Sequence, residues 1–419
     1  MRLLLVNQYY APDCAATAQV LADACEDLVR AGHEVHVVAG RARYDGADGA
    51  LPGEEVLHGV HVQRVGGTGS RRGRYRDRLL GYTAFHASLA GALMRVPRPD
   101  AAIFLTTPPL VGVHGRWLRA LRGVPYALWV MDVYPEIVFR SGLFSPRSAA
   151  GRAWSALATA ELRGADRVVA LCGDMAEVLA RRGVSRERFE VVPCWADGAE
   201  IRPAPLQGNP FRRREFPRAR FLAAYSGNAG TCHCFDAVVE GIRLLRARPD
   251  AAFAFIGGGK RYDGLRRDLA PEGDRVRFLP YQPRAELRDS LTAPDAHIVT
   301  LDPRYDGLLL PSKVFGVMAA GRPILFVGSA TGTVGRLLRD SGCGIVVDPA
   351  DGAAFARAVE RLADDPGEAA AMGARGRARF EAEFHRPLAT ARLRAVFESM
   401  APSTAPIPAD PLPAAAHPP

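Results

Sequence analysis

Lysine is almost absent from this chain: of 54 basic residues, only Lys260 and Lys313 are not arginine. Asparagine is nearly as scarce, occurring only as Asn7, Asn209 and Asn228. Where arginine is the habit, the exceptions carry the information. Long apolar runs are missing too. No stretch approaches the roughly 20 residues of a membrane-spanning helix. The opening "MRLLLVNQYY" holds one arginine and a short apolar run, too short for a secretory signal. The seven cysteines show no CxxC spacing, so a reduced cytoplasmic compartment is expected. "CHC" at 232–234 has no second cluster to complete a four-ligand site, and no metal is expected. No basic stripe interleaved with aromatics appears, which argues against nucleic acid.

What is present is 419 residues, 48% of them apolar, with a net charge of +9. The length permits two domains with large cores, and the charge suits phosphate-bearing or anionic partners. Short apolar runs alternate with helical periodicity. "RLLLVN" (2–7), "HEVHVVAG" (33–40), "HVQRV" (61–65), "AAIFLT" (101–106), "PYALWVMD" (125–132), "DRVVALC" (166–172) and "FEVVP" (189–193) read as strands. Residues 194–218 lose the pattern and gain Pro, Gly and charge, as an inter-domain linker would. Strands resume with "RFLAAYSG" (220–227), "AAFAFIGGG" (251–259), "RVRFLPY" (275–281), "AHIVTL" (296–301), "RPILFVG" (322–328) and "GIVVD" (344–348). This predicts an α/β chain of two doubly wound, Rossmann-like domains with parallel sheets, residues 1–203 and 204–384. A helix over 385–400 follows, and the Pro/Ala-rich tail 401–419 is expected to be disordered.

Two such domains face each other across a cleft, and open α/β sheets bind ligands beyond their strand carboxyl ends. Four of the five scarce residues fall at such places. Asn7 follows the first strand, Asn228 sits in "YSGNAGTCH", Lys260 closes "FIGGGK" and Lys313 opens a helix after "LLLPS"; Asn209 lies in the linker. Singly, each asparagine reads equally as a helix cap and each lysine as surface. Together they predict an anion site. Helix N-termini offer free N–H groups, and glycines let the backbone approach a phosphate. A compact ammonium follows a departing diphosphate better than a bulkier guanidinium fork. Lys313, beside the Ser312 hydroxyl, is therefore a candidate phosphate ligand. "GGG" at 257–259 fits neither a P-loop nor a dinucleotide fingerprint.

Over nearly all of residues 1–400 the chain resembles GT-B glycosyltransferases of family 4, in the bacterial exopolysaccharide and O-antigen branch that includes colanic-acid and N-acetylfucosamine transferases. The first half carries "NQYYAPDCAATAQVLADACEDLVRAGHEVHVVAG", "LTTPPLVG" and "PYALWVMDVYPE"; the second carries "YSGNAG", "FIGGGK", "VRFLPYQPRAEL", "PSKVFGVMAAGRPIL" and "GCGIVVDPAD". The resemblance implies a nucleotide-sugar donor of UDP or GDP type as substrate, with no cofactor or catalytic metal, and transfer with retention. It places the diphosphate near Gly227, Asn228, Gly230, Gly258, Lys260, Ser312 and Lys313, and the base in the loop Leu279, Pro280 and Tyr281. It sends the final helix back to the first domain. It also implies a polyprenyl-diphosphate-linked saccharide acceptor held by the first domain.

In that scheme Lys260, Lys313 and the Gly227–Gly230 amides stabilise the leaving diphosphate. Asp132 is the favoured acceptor-side base, ahead of Asp13, Glu136 and His114, unless the leaving phosphate itself takes the proton. Two departures stand out. Many members carry two glutamates eight positions apart that contact sugar and ribose; Leu308 and Gly316 occupy those positions here. Thr231 stands where a basic residue is usual, and Asp306 is a candidate substitute carboxylate. Five arginines at 71–78 precede an amphipathic helix running to 95; they suit either a solvated loop or peripheral docking on an anionic membrane. A nucleotide-sugar epimerase of the same fold and a non-catalytic nucleotide-sugar-binding subunit are the competing readings.

Overall fold

The computed structural model describes residues 1–13, 15–43, 50–66 and 75–400. Arg71, Arg72 and Arg74, the side chains of Arg76 and Arg78, and the tail 401–419 lie outside the described residues. The first sheet has eight strands: β1 (Arg2–Val6), β2 (Glu34–Gly40), β3 (Glu54–Leu57), β4 (Val60–Val65), β5 (Ala101–Leu105), β6 (Tyr126–Val130), β7 (Arg167–Ala170) and β8 (Phe189–Val191). Their order is β3-β4-β2-β1-β5-β6-β7-β8. The second sheet holds β9 (Phe221–Asn228), β10 (Ala251–Gly258), β11 (Val276–Leu279), β12 (Ala296–Thr300), β13 (Ile324–Val327) and β14 (Gly344–Val347), ordered β11-β10-β9-β12-β13-β14.

The pairings are parallel except β3–β4, which is antiparallel. The central strands are apolar on both faces because helices cover both; Leu3, Leu4, Leu5, Ile103, Phe104 and Trp129 are 0% exposed. The strand β3 departs from the expected all-parallel sheet. It lies at the edge, with Glu54 and Val56 exposed, so no apolar run marks it. Within the expected linker, Asn209 caps a short helix, Pro210–Glu215, by accepting from the Arg212 amide at 2.9 Å. Its Nδ2 also donates to the Asp289 carbonyl at 3.0 Å.

Each sheet reverses direction of growth once, between β1 and β5 and between β9 and β12. Such switch points open a crevice beyond the strand ends. The last helix, Arg386–Met400, packs on the first domain against helix Ala16–Arg30. There Arg386 bonds Asp23 at 2.8 Å, Glu26 at 3.0 Å and Asp27 at 2.8 Å, and Thr390 Oγ1 donates to Asp27 at 2.8 Å. The same strip carries a parallel bridge between Ala196 and His385. On another side of the cleft, the Val133 amide donates to the Leu308 carbonyl at 2.8 Å. Asp174 accepts from Thr333 Oγ1 and pairs with Arg336, both at 2.7 Å.

Candidate active site

The floor of the site is where β9 and β10 end side by side, Gly227 opposite Gly257 and Asn228 opposite Gly258. Glycine is needed here. Gly257 has φ +132, and a Cβ on it would lie 2.3 Å from the Gly227 carbonyl oxygen. Gly259 has φ +123, and a Cβ there would meet Asn228 Oδ1 at 2.4 Å. The Tyr281 ring lies over this floor, 3.2 Å from a Cβ on Gly257 and 3.4 Å from one on Gly258. Thus Gly227, Asn228, Gly258 and the Leu279–Tyr281 loop come together, and Gly230 adjoins the Asn228 amide.

One expectation needs correcting: not all of the Gly227–Gly230 amides are free for a diphosphate, and the next helix begins only at Asp236. The Ala229 amide donates to the Gly258 carbonyl at 2.7 Å, and the Arg261 amide to the Ala229 carbonyl at 2.9 Å. Those bonds stitch the loop to the end of β10, so the Ala229 N–H is not free for a phosphate.

Over the floor comes Lys313, the first residue of a helix of seven, Lys313–Ala319. Ser312 precedes it, half-buried and making no side-chain cap bond. Lys313 Nζ would lie 3.6 Å from a Cβ on Gly227. It hydrogen-bonds the Tyr225 hydroxyl and sits 4.0 Å from the centroid of that ring. Burial pushes its pKa down to about 7, opposed only by the Cys232 thiol nearby. His233 adds no charge, since burial and then the nearby Lys313 lower its pKa to about 3, against the opposing pull of the Thr300 carbonyl 2.6 Å from its Nδ1. Lys260 is exposed just beyond the strand end, with no ion pair among the described residues.

Asp132 lies beyond β6 on the first domain. Its amide is held by Thr106 Oγ1 at 3.2 Å, and its backbone bridges Leu309 of the second domain. The next helix, Glu136–Arg140, begins after Pro135, so Asp132 does not cap it. The half-buried carboxylate has no hydrogen bond or ion pair among the described residues, and burial pushes its pKa up to about 6. Cys232 lies within electrostatic reach of both Asp132 and Lys313, and burial, aided by Asp132, raises its thiol to about 11. The other base candidates are engaged: Asp13 accepts from the Ala15 amide at 3.0 Å, Glu136 pairs with Arg182, and His114 bonds His86 at 3.0 Å.

Further placements differ from expectation. Asn7 is 0% exposed and pins its own loop, donating to the Tyr9 carbonyl at 2.7 Å; none of its surface is open. Leu308 is 5% exposed and packed into the core cluster. The Asp306 carboxylate lies against Gly332, 2.6 Å from where its Cβ would be, at the start of helix Thr333–Ser341. Among the described residues no group of three or more His, Cys, Asp or Glu is arranged for a metal. Tyr225 and Cys232 escaped sequence reasoning. Tyr225 had one available signal: it lies two residues before Gly227, on the same face of the strand.

The chain matches two families in sequence, the glycosyl transferase 4-like domain over residues 16–195 and the glycosyl transferases group 1 over residues 221–365. The probable glycosyltransferase WbjE of Pseudomonas aeruginosa is 31% identical over 64% of this chain and 68% of its own. This chain belongs to the glycosyltransferases. The putative colanic acid biosynthesis glycosyl transferase WcaI of Escherichia coli is 24% identical over 83% of this chain and 89% of its own. Among solved structures, sucrose-phosphate synthase from Thermosynechococcus elongatus aligns with a TM-score of 0.74 at 18% identity, over 96% of this chain and 99% of that one. Anabaena HepE in complex with UDP aligns at 0.70 and 14% identity, over 95% and 100%. At such identities the likeness shows the fold, which is GT-B: two Rossmann-like domains facing a cleft. The enzyme is a transferase, and the relatives do not favour the epimerase or non-catalytic readings.

Proposed function

We propose that this glycosyltransferase moves a sugar from a UDP- or GDP-type donor to a saccharide carried on polyprenyl diphosphate. The transfer retains anomeric configuration and serves cell-surface polysaccharide synthesis at the cytoplasmic face of the membrane. The relative named for colanic acid biosynthesis and the UDP complex of a structural neighbour support the substrate classes. The observation that carries the reading is Lys313, a half-buried amine without a carboxylate partner among the described residues, held against Gly227 where two glycine-rich strand ends meet. A diphosphate laid there gives that amine its counter-charge.

As the bond from the anomeric carbon to the β-phosphate oxygen breaks, negative charge grows on the diphosphate. Lys313 and Lys260 stabilise it, and each well-placed donor contributes a few kcal/mol. The acceptor oxygen bonds the anomeric carbon, and its proton passes to the departing phosphate or to Asp132. Tyr281 covers the base side. No cofactor enters this scheme.

The membrane-facing part of the reading rests on two neighbouring helices, Tyr75–Arg95 and Gly112–Arg122. Leu80 and Met94 are exposed on one, Trp117 and Leu121 on the other, at 67%, 56%, 53% and 71%. Arg95, Arg98 and Arg116 are exposed around them. Apolar residues ringed by arginine fit an anionic bilayer surface. No helix among the described residues is long and apolar enough to cross a membrane.

The test is incubation with a panel of UDP- and GDP-sugars and a polyprenyl-diphosphate-linked saccharide. The expected result is an extended lipid-linked product whose anomeric configuration matches the donor. Sugar conversion without acceptor, or binding without turnover, overturns the proposal. Trp117→Ser with Leu121→Ser should reduce sedimentation with anionic vesicles, and unchanged sedimentation removes the docking face.

A further inference from the structure

We infer that Tyr225 is the positioning residue for Lys313, holding its amine at the strand-end floor and setting how readily it carries charge there. The inference rests on the reading of Lys313 as a diphosphate ligand. Tyr225 is 0% exposed within β9, an interior location that ordinarily wants a side chain without a polar tip. Its hydroxyl is engaged both as donor and as acceptor. It donates to the Asn228 carbonyl at 2.8 Å and accepts from Lys313 Nζ. The ring is clamped edge-on by Phe235, with centroids 5.1 Å apart, and by His233 at 6.0 Å. A rigid phenol therefore ties the floor loop at Asn228 to the amine above it.

The bond to Tyr225 takes one of the three hydrogens of the ammonium and leaves two for an incoming phosphate. The ring supplies a cation–π contact at 4.0 Å, while the closed surroundings strip water from the amine. The groups facing it are Tyr225, the Cys232 thiol and the neutral His233, with Asp132 across the cleft acting on Cys232. Among the described residues no carboxylate pairs with the ammonium in competition with a ligand. The hydroxyl favours the charged form, so removing it should shift the amine's titration to lower pH and weaken anion binding at neutral pH.

The test uses the full chain and two probes, UDP and GDP. Tyr225→Phe keeps ring and volume, and its fold is checked by thermal unfolding. The nucleoside diphosphate affinity at pH 7.5 should drop on the order of tenfold, the scale of one hydrogen bond to a charged group. Because the chain has two lysines, 13Cε-lysine labelling gives two signals, and the one lost in Lys313→Met reports the amine directly. Its titration midpoint should move to lower pH in Tyr225→Phe by about half a unit or more. In a Lys313→Met background Tyr225→Phe should change affinity little. An unshifted midpoint, or an equal loss in both backgrounds, overturns the positioning role. If Lys313→Met itself leaves affinity unchanged, the diphosphate reading fails instead, and the NMR shift still reports on Tyr225.

Discussion

Asp132 and Lys313 approach neutrality from opposite directions, one carboxylate raised to about 6 and one amine lowered to about 7, each by burial. Both are charged together only in the narrow interval between. If both charges are needed, kcat/KM for the donor should follow a bell, falling below pH 6 as Asp132 gains a proton and above pH 7 as Lys313 loses one. Bound diphosphate raises the Lys313 pKa, so the basic limb should lie higher in kcat than in kcat/KM. Asp132→Asn should abolish the acid limb and lower kcat about 10²-fold or more if it is the base; a small loss with the limb intact assigns the proton to the leaving phosphate. Lys313→Ala should weaken donor binding and turnover at least about tenfold, and near-normal kinetics would refute its role. Stability has its own sign. The folded Lys313 pKa lies below the ordinary lysine value of 10.5, so the unfolded chain binds more protons between about 7 and 10.5. Relative to Lys313→Met, the ligand-free enzyme should gain stability as pH rises through that window, read as a rising urea midpoint. Lys313 was legible in the sequence because it broke a compositional habit. Tyr225 was not, since an aromatic within a buried strand looks like ordinary core.

At the level of elements, legibility followed burial. Strands such as β1 and β5 are solid apolar runs and could be read directly, whereas β3 is a half-exposed edge whose residues carry no pattern. The loop after β9 misled for another reason: Ala229 and Arg261 trade backbone bonds with residues whose proximity only the tertiary fold creates. The helix Arg386–Met400 gives a sharp element-scale prediction. Arg386 is 6% exposed and faces Asp23, Glu26 and Asp27. Arg386→Met removes the buried cation shared by these three carboxylates and leaves only the more exposed Arg30 and Arg284 near them, which should destabilise the protein by about 3–5 kcal/mol in chemical denaturation. A loss under about 1 kcal/mol would mean the helix is held by its apolar face alone.

Across the whole molecule, the loop that lacks the family's first glutamate serves as a fastener. Leu308 is buried at the junction, its carbonyl bound by Val133, while Asp174 reaches Thr333 and Arg336. Asp174→Ala should change global stability by no more than about 1 kcal/mol, because the pair is partly exposed. It should broaden the distribution of lobe separations seen by small-angle scattering. An unchanged scattering profile would show that Leu308 suffices.

The backbone passes between the lobes twice, and the two passages touch where Ala196 lies beside His385 and the Arg386 amide donates to the Ala196 carbonyl at 3.1 Å. Two threads crossing at one point act like a door with its pins on a common line: rotation about that line is permitted, while sliding and twisting are resisted. It follows that no single cut frees a complete lobe. A fragment ending before residue 204 lacks the helix that seals its flank, and the first half should become an independent protein only with residues 385–400 grafted back onto it.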